Sequence, residues 1–262
     1  MAQARVGFHR KVKVFITHMH GDHILGLPGL LQTMSLLNRT KRVEIYGPQG
    51  IKAFIEAINQ TVRFSLTFHV QVSEIDQGLV CEENEYQVYA VISDHMNHSL
   101  AYGLIEKPRP GRFKIEKARE MGVPAGPLWS KLQSGSSVKL PNGRNVKPEM
   151  VLGTPRPGRK IVFSGDTRQS ENIVELAESA DLLIHEATFD DELTERAAED
   201  GHSTPSIAAE TAKKAGVKQL VLTHISARYK DANLLLEQAK KTFSNTELAE
   251  DFLKLELPFQ ED

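Results

Sequence analysis

The sequence predicts an α/β domain that carries one basic excursion, and three observations lead there. From residue 161 onward, short β-branched runs alternate with segments of helical periodicity, the pattern of strands packed under helices. Residues 68–105 hold three strand-like segments and no helical period. Between these blocks lies a stretch rich in Pro, Gly, Lys and Arg that follows neither period.

Taken in order, residues 13–17 (KVFIT) form a strand that ends in HMHGDH, and residues 25–37 follow as a helix opened by Pro28. Residues 43–46 form a second strand, punctuated by Gly47 and Pro48, before a helix over 51–58 with apolar residues at 51, 54, 55 and 58. Strands over 68–75, 87–93 and 101–105 are consistent with a meander. Residues 107–158 hold eight of the 12 prolines and read as an extended, protruding arm. Strands at 161–163, 182–184 and 219–222 then alternate with helices at 172–178, 205–215 and 234–242.

At roughly 150 residues per domain, 262 residues suit one large domain with an insertion. Hydrophobic and charged fractions of 40% and 25% exclude disordered and low-complexity classes. A single cysteine, Cys81, excludes a disulfide framework and an all-cysteine zinc cluster, so any metal must sit on His and carboxylates. No apolar run nears the ~20 residues needed to cross a bilayer, and a soluble cytoplasmic protein is expected.

The net charge of −2 hides an asymmetry. The window 106–160 holds 13 Lys and Arg against four acids, a net of +9, which leaves −11 for the rest. A cationic segment on an acidic body suits a polyanionic partner, because each Lys or Arg that neutralises a phosphate releases counterions. The competing interpretation is a solvated charged loop.

The chemistry is concentrated at strand ends. His18, His20, Asp22 and His23 spell H-x-H-x-D-H directly after the first strand. Imidazole and carboxylate suit zinc or similar divalent ions, and a tight turn eased by Gly21 can aim His18 and His20 one way and Asp22 and His23 another, serving two metals. Later strands run into Asp166, into His185 and Glu186, and into His224, so groups distant in sequence can meet at one sheet edge. His95 or His98 would complete the first metal's shell, and periodicity does not choose between them. His202 precedes a helix and, paired with a carboxylate, would donate a proton near neutral pH. His9 and His69 belong to no cluster. Two divalent ions activate a water and stabilise both oxygens of an in-line displacement, which makes phosphodiesters the natural substrate.

HMHGDH followed by GLPGLL, then FSGDTR, HEATF, GHST and THISARY, together resemble the metallo-β-lactamase superfamily and, within it, the ribonuclease Z family of tRNA 3′-processing endoribonucleases. The resemblance runs from about Phe8 to the C-terminal end and includes GVPAGP at 122–127, similar to the glycine-proline motif of the family's tRNA-gripping exosite. It implies an αββα sandwich, two packed mixed sheets flanked by helices, with residues 107–158 as a basic tRNA-binding arm. It implies two zinc ions per subunit, one on His18, His20 and His95 and the other on Asp22, His23 and His224, bridged by Asp166. His95 is selected over His98 because the family's ligand lies seven residues before the tyrosine matched by Tyr102. Asp22 would also act as the base on the attacking water, His202 steered by Glu186 would protonate the leaving 3′ oxygen, and His185 would support them from behind. The implied assembly is a homodimer in which one subunit's arm holds the precursor tRNA that the other cleaves.

Family members begin with strands bearing a G-T-x-x-x-x-P motif and a D-C-G-E-G turn before the sequence matched here by residues 3–10, and neither is present. The expectation is therefore a single domain over 1–262 that is N-terminally incomplete, with Met1 an internal methionine or the start of a shortened protein. Two other classes share parts of the pattern: a silent tRNA-binding or dimerising subunit, and a hydrolase of small molecules such as lactones or thioesters. The basic arm argues against the last, since a small substrate needs no cationic clamp.

Overall fold

The computed structural model describes residues 7, 9–62 and 65–259, so Phe8 and most of the stretch matched by residues 3–10 lie outside the described residues. The chain divides into two compact units, one built from the residues up to Ile105 and Lys160–Leu257, the other from Glu106–Arg159 with the residues after Leu257.

The first unit opens with β1 (Val12–Phe15), α1 (Gly21–Ile24), α2 (Gly26–Leu36), β2 (Val43–Gly47), α3 (Ile51–Thr61) and β3 (Val70–Glu74). These strands make a parallel sheet in the order β1-β2-β3. Its central strand β2 is buried along its whole length, as a parallel strand covered on both faces must be. α2 and α3 close one face with Leu27, Leu31, Met34, Ile51 and Ile55. The buried Glu44 of β2 is tolerated because Lys13, Arg42 and the Tyr46 hydroxyl all reach its carboxylate.

Next come β4 (Gly78–Glu82), β5 (Tyr86–Ile92) and β6 (Leu100–Glu106). The expected meander is therefore corrected: β3 pairs with β2 in the first sheet, and β4, unforeseen from the sequence, takes its place beside β5.

The second unit holds α4 (Ile115–Glu120), α5 (Pro127–Gln133), the hairpin β7 (Val138–Lys139) and β8 (Asn145–Val146), and α6 (Pro148–Val151). The expectation of an extended arm without regular structure is corrected here. Ala118, Val123, Leu132, Val138, Leu140, Val146 and Val151 form a core of their own. Elements this short span too few turns to show a period in sequence, and their prolines sit at first helical turns, as Pro127 and Pro148 do.

The chain re-enters the first unit through β9 (Lys160–Phe163), α7 (Glu171–Ala177), β10 (Leu182–Glu186), α8 (Thr194–Asp200), α9 (Pro205–Ala215), β11 (Leu220–Thr223), α10 (Asn233–Lys240) and β12 (Thr246–Leu248). The second sheet runs β12-β11-β10-β9-β6-β5-β4, with β9 to β12 parallel and β6 antiparallel to β9. Ala208, Ala209, Ala212 and Ala215 let α9 approach this sheet closely, and Ile173 and Ala177 of α7 join the same core. The two sheets meet where Phe15 packs on Tyr102, and two hydrogen bonds tie the end of β1 to β6. The Tyr102 hydroxyl donates to the Ile16 carbonyl at 2.7 Å, and the Leu100 amide donates to the Thr17 carbonyl at 2.8 Å. Those bonds fix the backbone that leads directly into His18. Among the described residues, no helix is long and apolar enough to cross a membrane.

Candidate metal centre

β1 ends one residue before a buried pair, Ile16 and Thr17, and His18 is itself buried at 1% exposure. His20 stands extended at the start of α1, and Asp22 and His23 follow it on that single helical turn. The expected role of Gly21 is corrected: it is helical, with no positive φ, and a Cβ there would lie 3.1 Å from Leu25. That neighbour is the tip of an exposed leucine side chain, so neither the backbone nor the packing demands glycine there. Asp166 follows β9, Glu186 closes β10 and His224 follows β11, so three parallel strands deliver their groups at one edge.

The side chains gather into two triads. His20 Nδ1 lies 3.1 Å from His18 Nε2 and 3.2 Å from His95 Nε2. Asp22 Oδ2 lies 3.6 Å from His23 Nε2 and 3.9 Å from His224 Nε2. Asp166 Oδ2 stands between them, 3.3 Å from His23 Nε2, 3.4 Å from His224 Nε2 and 3.6 Å from His18 Nε2. Tetrahedral ligands with Zn–N bonds of 2.0–2.1 Å are separated by about 3.3 Å, so these spacings fit the coordination shell of a divalent ion. The donor set, imidazole nitrogen with carboxylate oxygen and no thiolate, suits zinc and its neighbours.

The outer nitrogens explain why the inner ones point inward. His95 Nδ1 donates to the Gly201 carbonyl at 2.7 Å, which leaves its Nε2 lone pair facing His20. Gly201 has φ +84°, and a Cβ on it would lie 2.7 Å from that Nδ1, so glycine is required there. His18 Nδ1 pairs with the Thr17 hydroxyl at 3.0 Å, and His224 Nδ1 lies 2.7 Å from the Thr188 hydroxyl. Glu186 is fully buried and accepts from the Thr167 and Thr188 amides, the Thr188 hydroxyl and His202 Nδ1.

Burial, helped by the neighbouring His23, pushes the His18 imidazole down to about 3, and burial also lowers His95. Both are kept neutral, the form that ligates metal. Burial would raise the Asp166 carboxyl, but the hydrogen bond from His23 and the charges of His224, His23 and His18 overcome it and hold the group at about 2. The hydrogen bond to Asp166 raises His23 against its own burial. At His202 burial opposes protonation, but the bond to Glu186 and its charge prevail and the pKa rises.

All seven expected ligands, His18, His20, Asp22, His23, His95, Asp166 and His224, are thus adjacent, with Glu186 and His202 next to them. His98 is exposed, 3.9 Å from Asp76, and His9 and His69 are exposed away from the cluster. His185 is corrected: strand alternation turns it to the Leu183 face of β10, where Nδ1 donates to the Glu186 carbonyl and Nε2 has no partner. Thr188 was not foreseen as part of the site. Its signal was its place two residues beyond Glu186 in HEATF, where an extended backbone returns to the same face.

Two helix-flanked sheets that present imidazoles and carboxylates at their strand ends define a metal-dependent hydrolase. Residues 133–225 match the family model for a beta-lactamase superfamily domain. The ribonuclease Z of Methanosarcina acetivorans is 48% identical over 261 residues, covering 99% of this chain and 85% of that protein. That of Archaeoglobus fulgidus is 45% identical over 265 residues, covering 100% and 85%. The crystal structure of human tRNase Z, short form, superposes with a TM-score of 0.69 at 30% identity, covering 98% of this chain and 83% of that one. The chain belongs to the ribonuclease Z family of tRNA 3′-processing endoribonucleases, within the beta-lactamase superfamily. Membership implies a divalent metal, and the His and Asp groups above could hold it.

Proposed function

We propose that this chain cuts precursor tRNA after the acceptor stem by hydrolysis, leaving a 3′-hydroxyl on the tRNA and a 5′-phosphate on the trailer, with two zinc ions per subunit. His18, His20 and His95 would hold one ion, Asp22, His23 and His224 the other, and Asp166 both. The observation that carries this reading is the position of Asp166 Oδ2 within 3.6 Å of imidazoles from both triads. When bound, the ions would lower the pKa of a water and stabilise charge on the entering and leaving oxygens.

The protein's own groups do the rest. The Asp22 side chain is 71% exposed beside His23, accessible to water, and would orient and deprotonate the attacking one. His202 Nδ1 is held by Glu186 at 2.9 Å, which leaves Nε2 as the atom that protonates the leaving 3′ oxygen. Although burial opposes it, the bond to Glu186 and its charge raise the pKa of His202 and so favour the protonated form that this role needs. The second unit, which takes in residues 106–159 of the window with net charge +9, is the tRNA-holding arm, and its contacts with phosphate position the substrate. Assembly as a homodimer, each arm serving the partner's site, and a cytoplasmic location belong to the same reading.

Incubation of the zinc-loaded protein with precursor tRNA, followed by end-group analysis, tests the proposal. A single cut with the stated ends is expected. No cleavage by protein whose zinc content is confirmed by elemental analysis would refute it. Light scattering tests the dimer.

A further inference from the structure

One hydroxyl lies between a metal-facing histidine and the acid pair. Thr188 Oγ1 is 2.7 Å from Glu186 Oε2, 2.7 Å from His224 Nδ1 and 3.2 Å from His202 Nδ1, on a residue only 7% exposed. A hydroxyl has one proton to give. Glu186, as a carboxylate, only accepts, so that proton goes to Oε2, and the hydroxyl oxygen in turn accepts Nδ1–H of His224. This choice leaves the Nε2 lone pair of His224 facing Asp22 and Asp166. The other oxygen of the same carboxylate, Oε1, accepts Nδ1–H of His202 at 2.9 Å. One continuous chain therefore runs from His224 through Thr188 and Glu186 to His202.

We propose that Thr188 is a positioning residue whose hydroxyl sets the tautomer and orientation of His224 and, through Glu186, the orientation of His202. The metal-binding group and the proton donor are then aligned by a single side chain. This inference rests on the metal-binding role given above to His224 and the acid role given to His202. Thr188→Val keeps the branched shape and removes only the hydroxyl, stranding Nδ1–H of His224 and taking one of four donors from Glu186. Thr188→Ser restores the hydroxyl.

The test measures zinc affinity by competition with a chromophoric chelator, and kcat and KM on precursor tRNA, for wild type, Thr188→Val, Thr188→Ala and Thr188→Ser. Melting temperatures identify any variant that fails to fold, and Ala substitutes for Val if Val does. The expected result for Val is roughly a 10- to 100-fold loss of affinity at the zinc assigned to His224 and a comparable fall in kcat, with KM little changed, the size seen when a hydrogen-bond partner of a metal-ligating histidine is lost. Ser should recover most of both. Val with wild-type affinity and kcat would overturn the proposal, and so would Ser as impaired as Val. Wild-type protein that takes up no zinc would instead overturn the reading of the site itself.

Discussion

Replacing Asp166 by asparagine keeps the shape of the side chain and removes its charge. In the metal-free protein that charge is stabilised first by the hydrogen bond from His23 and then by the surrounding imidazoles, which hold the carboxyl at about 2 against an ordinary 3.8 despite burial. The fall from 3.8 to about 2 corresponds to ~2 kcal/mol at 1.36 kcal/mol for each tenfold change in the proton equilibrium. Because the folded value is the lower one, this stability is fully present above pH 3.8 and is lost as the pH falls through 2. The chelator-stripped Asp166→Asn protein should therefore melt about 4–8 °C below wild type at pH 7. The gap should narrow steadily below pH 4. With zinc restored, loss of a shared ligand should cost more than the ~100-fold that loss of a supporting partner can cost. Thermal melting at several pH values and cleavage of precursor tRNA provide the two readouts. An asparagine variant as stable and as active as wild type would refute the place given to Asp166.

Four other outcomes are expected. Asp22→Ala should abolish turnover while tRNA binding, measured by filter retention, persists. Replacing residues 107–158 by a short turn is feasible because Ile105 pairs with Lys160 across β6 and β9; it should weaken tRNA binding and flatten its salt dependence while largely sparing hydrolysis of a small phosphodiester. His18 is held neutral, at about 3 when folded against 6.5 unfolded, so the metal-free protein should lose stability as pH falls from 6.5 towards 3, by at most ~5 kcal/mol. Urea unfolding at pH 7.5 and 5 measures that slope, and His18→Gln should reduce it, leaving the part that His95 contributes. Gly201→Ala should destabilise by ~1 kcal/mol or more, through its positive φ, and should lower zinc affinity by pushing His95 aside.

Much of this arrangement was legible from residue order because it follows from strands. β1, β2, β5, β6, β9, β10 and β11 announce themselves by β-branched runs, and a parallel strand must deliver its next residues to a common edge. Asp166, Glu186 and His224 could be grouped on that ground alone. What stayed hidden was non-local or too short to have a period. β4 begins at a glycine, β12 has three residues, and only pairing with β2 assigns β3 to the first sheet. The folding of 106–159 into a small core was obscured by its prolines, which read as breakers although two of them open helices. Periodicity could not choose His95 over His98; its bond to the Gly201 carbonyl, more than a hundred residues away, shows what holds it in the cluster. Strand parity, applied to HEATF, would have separated His185 from Glu186 and added Thr188.

Diffraction from zinc-soaked crystals on either side of the zinc absorption edge tests the central claim most directly. Two anomalous peaks per subunit are expected, one among His18, His20 and His95 and one among Asp22, His23 and His224, both in contact with Asp166. A single peak, none, or peaks away from Asp166 would contradict it.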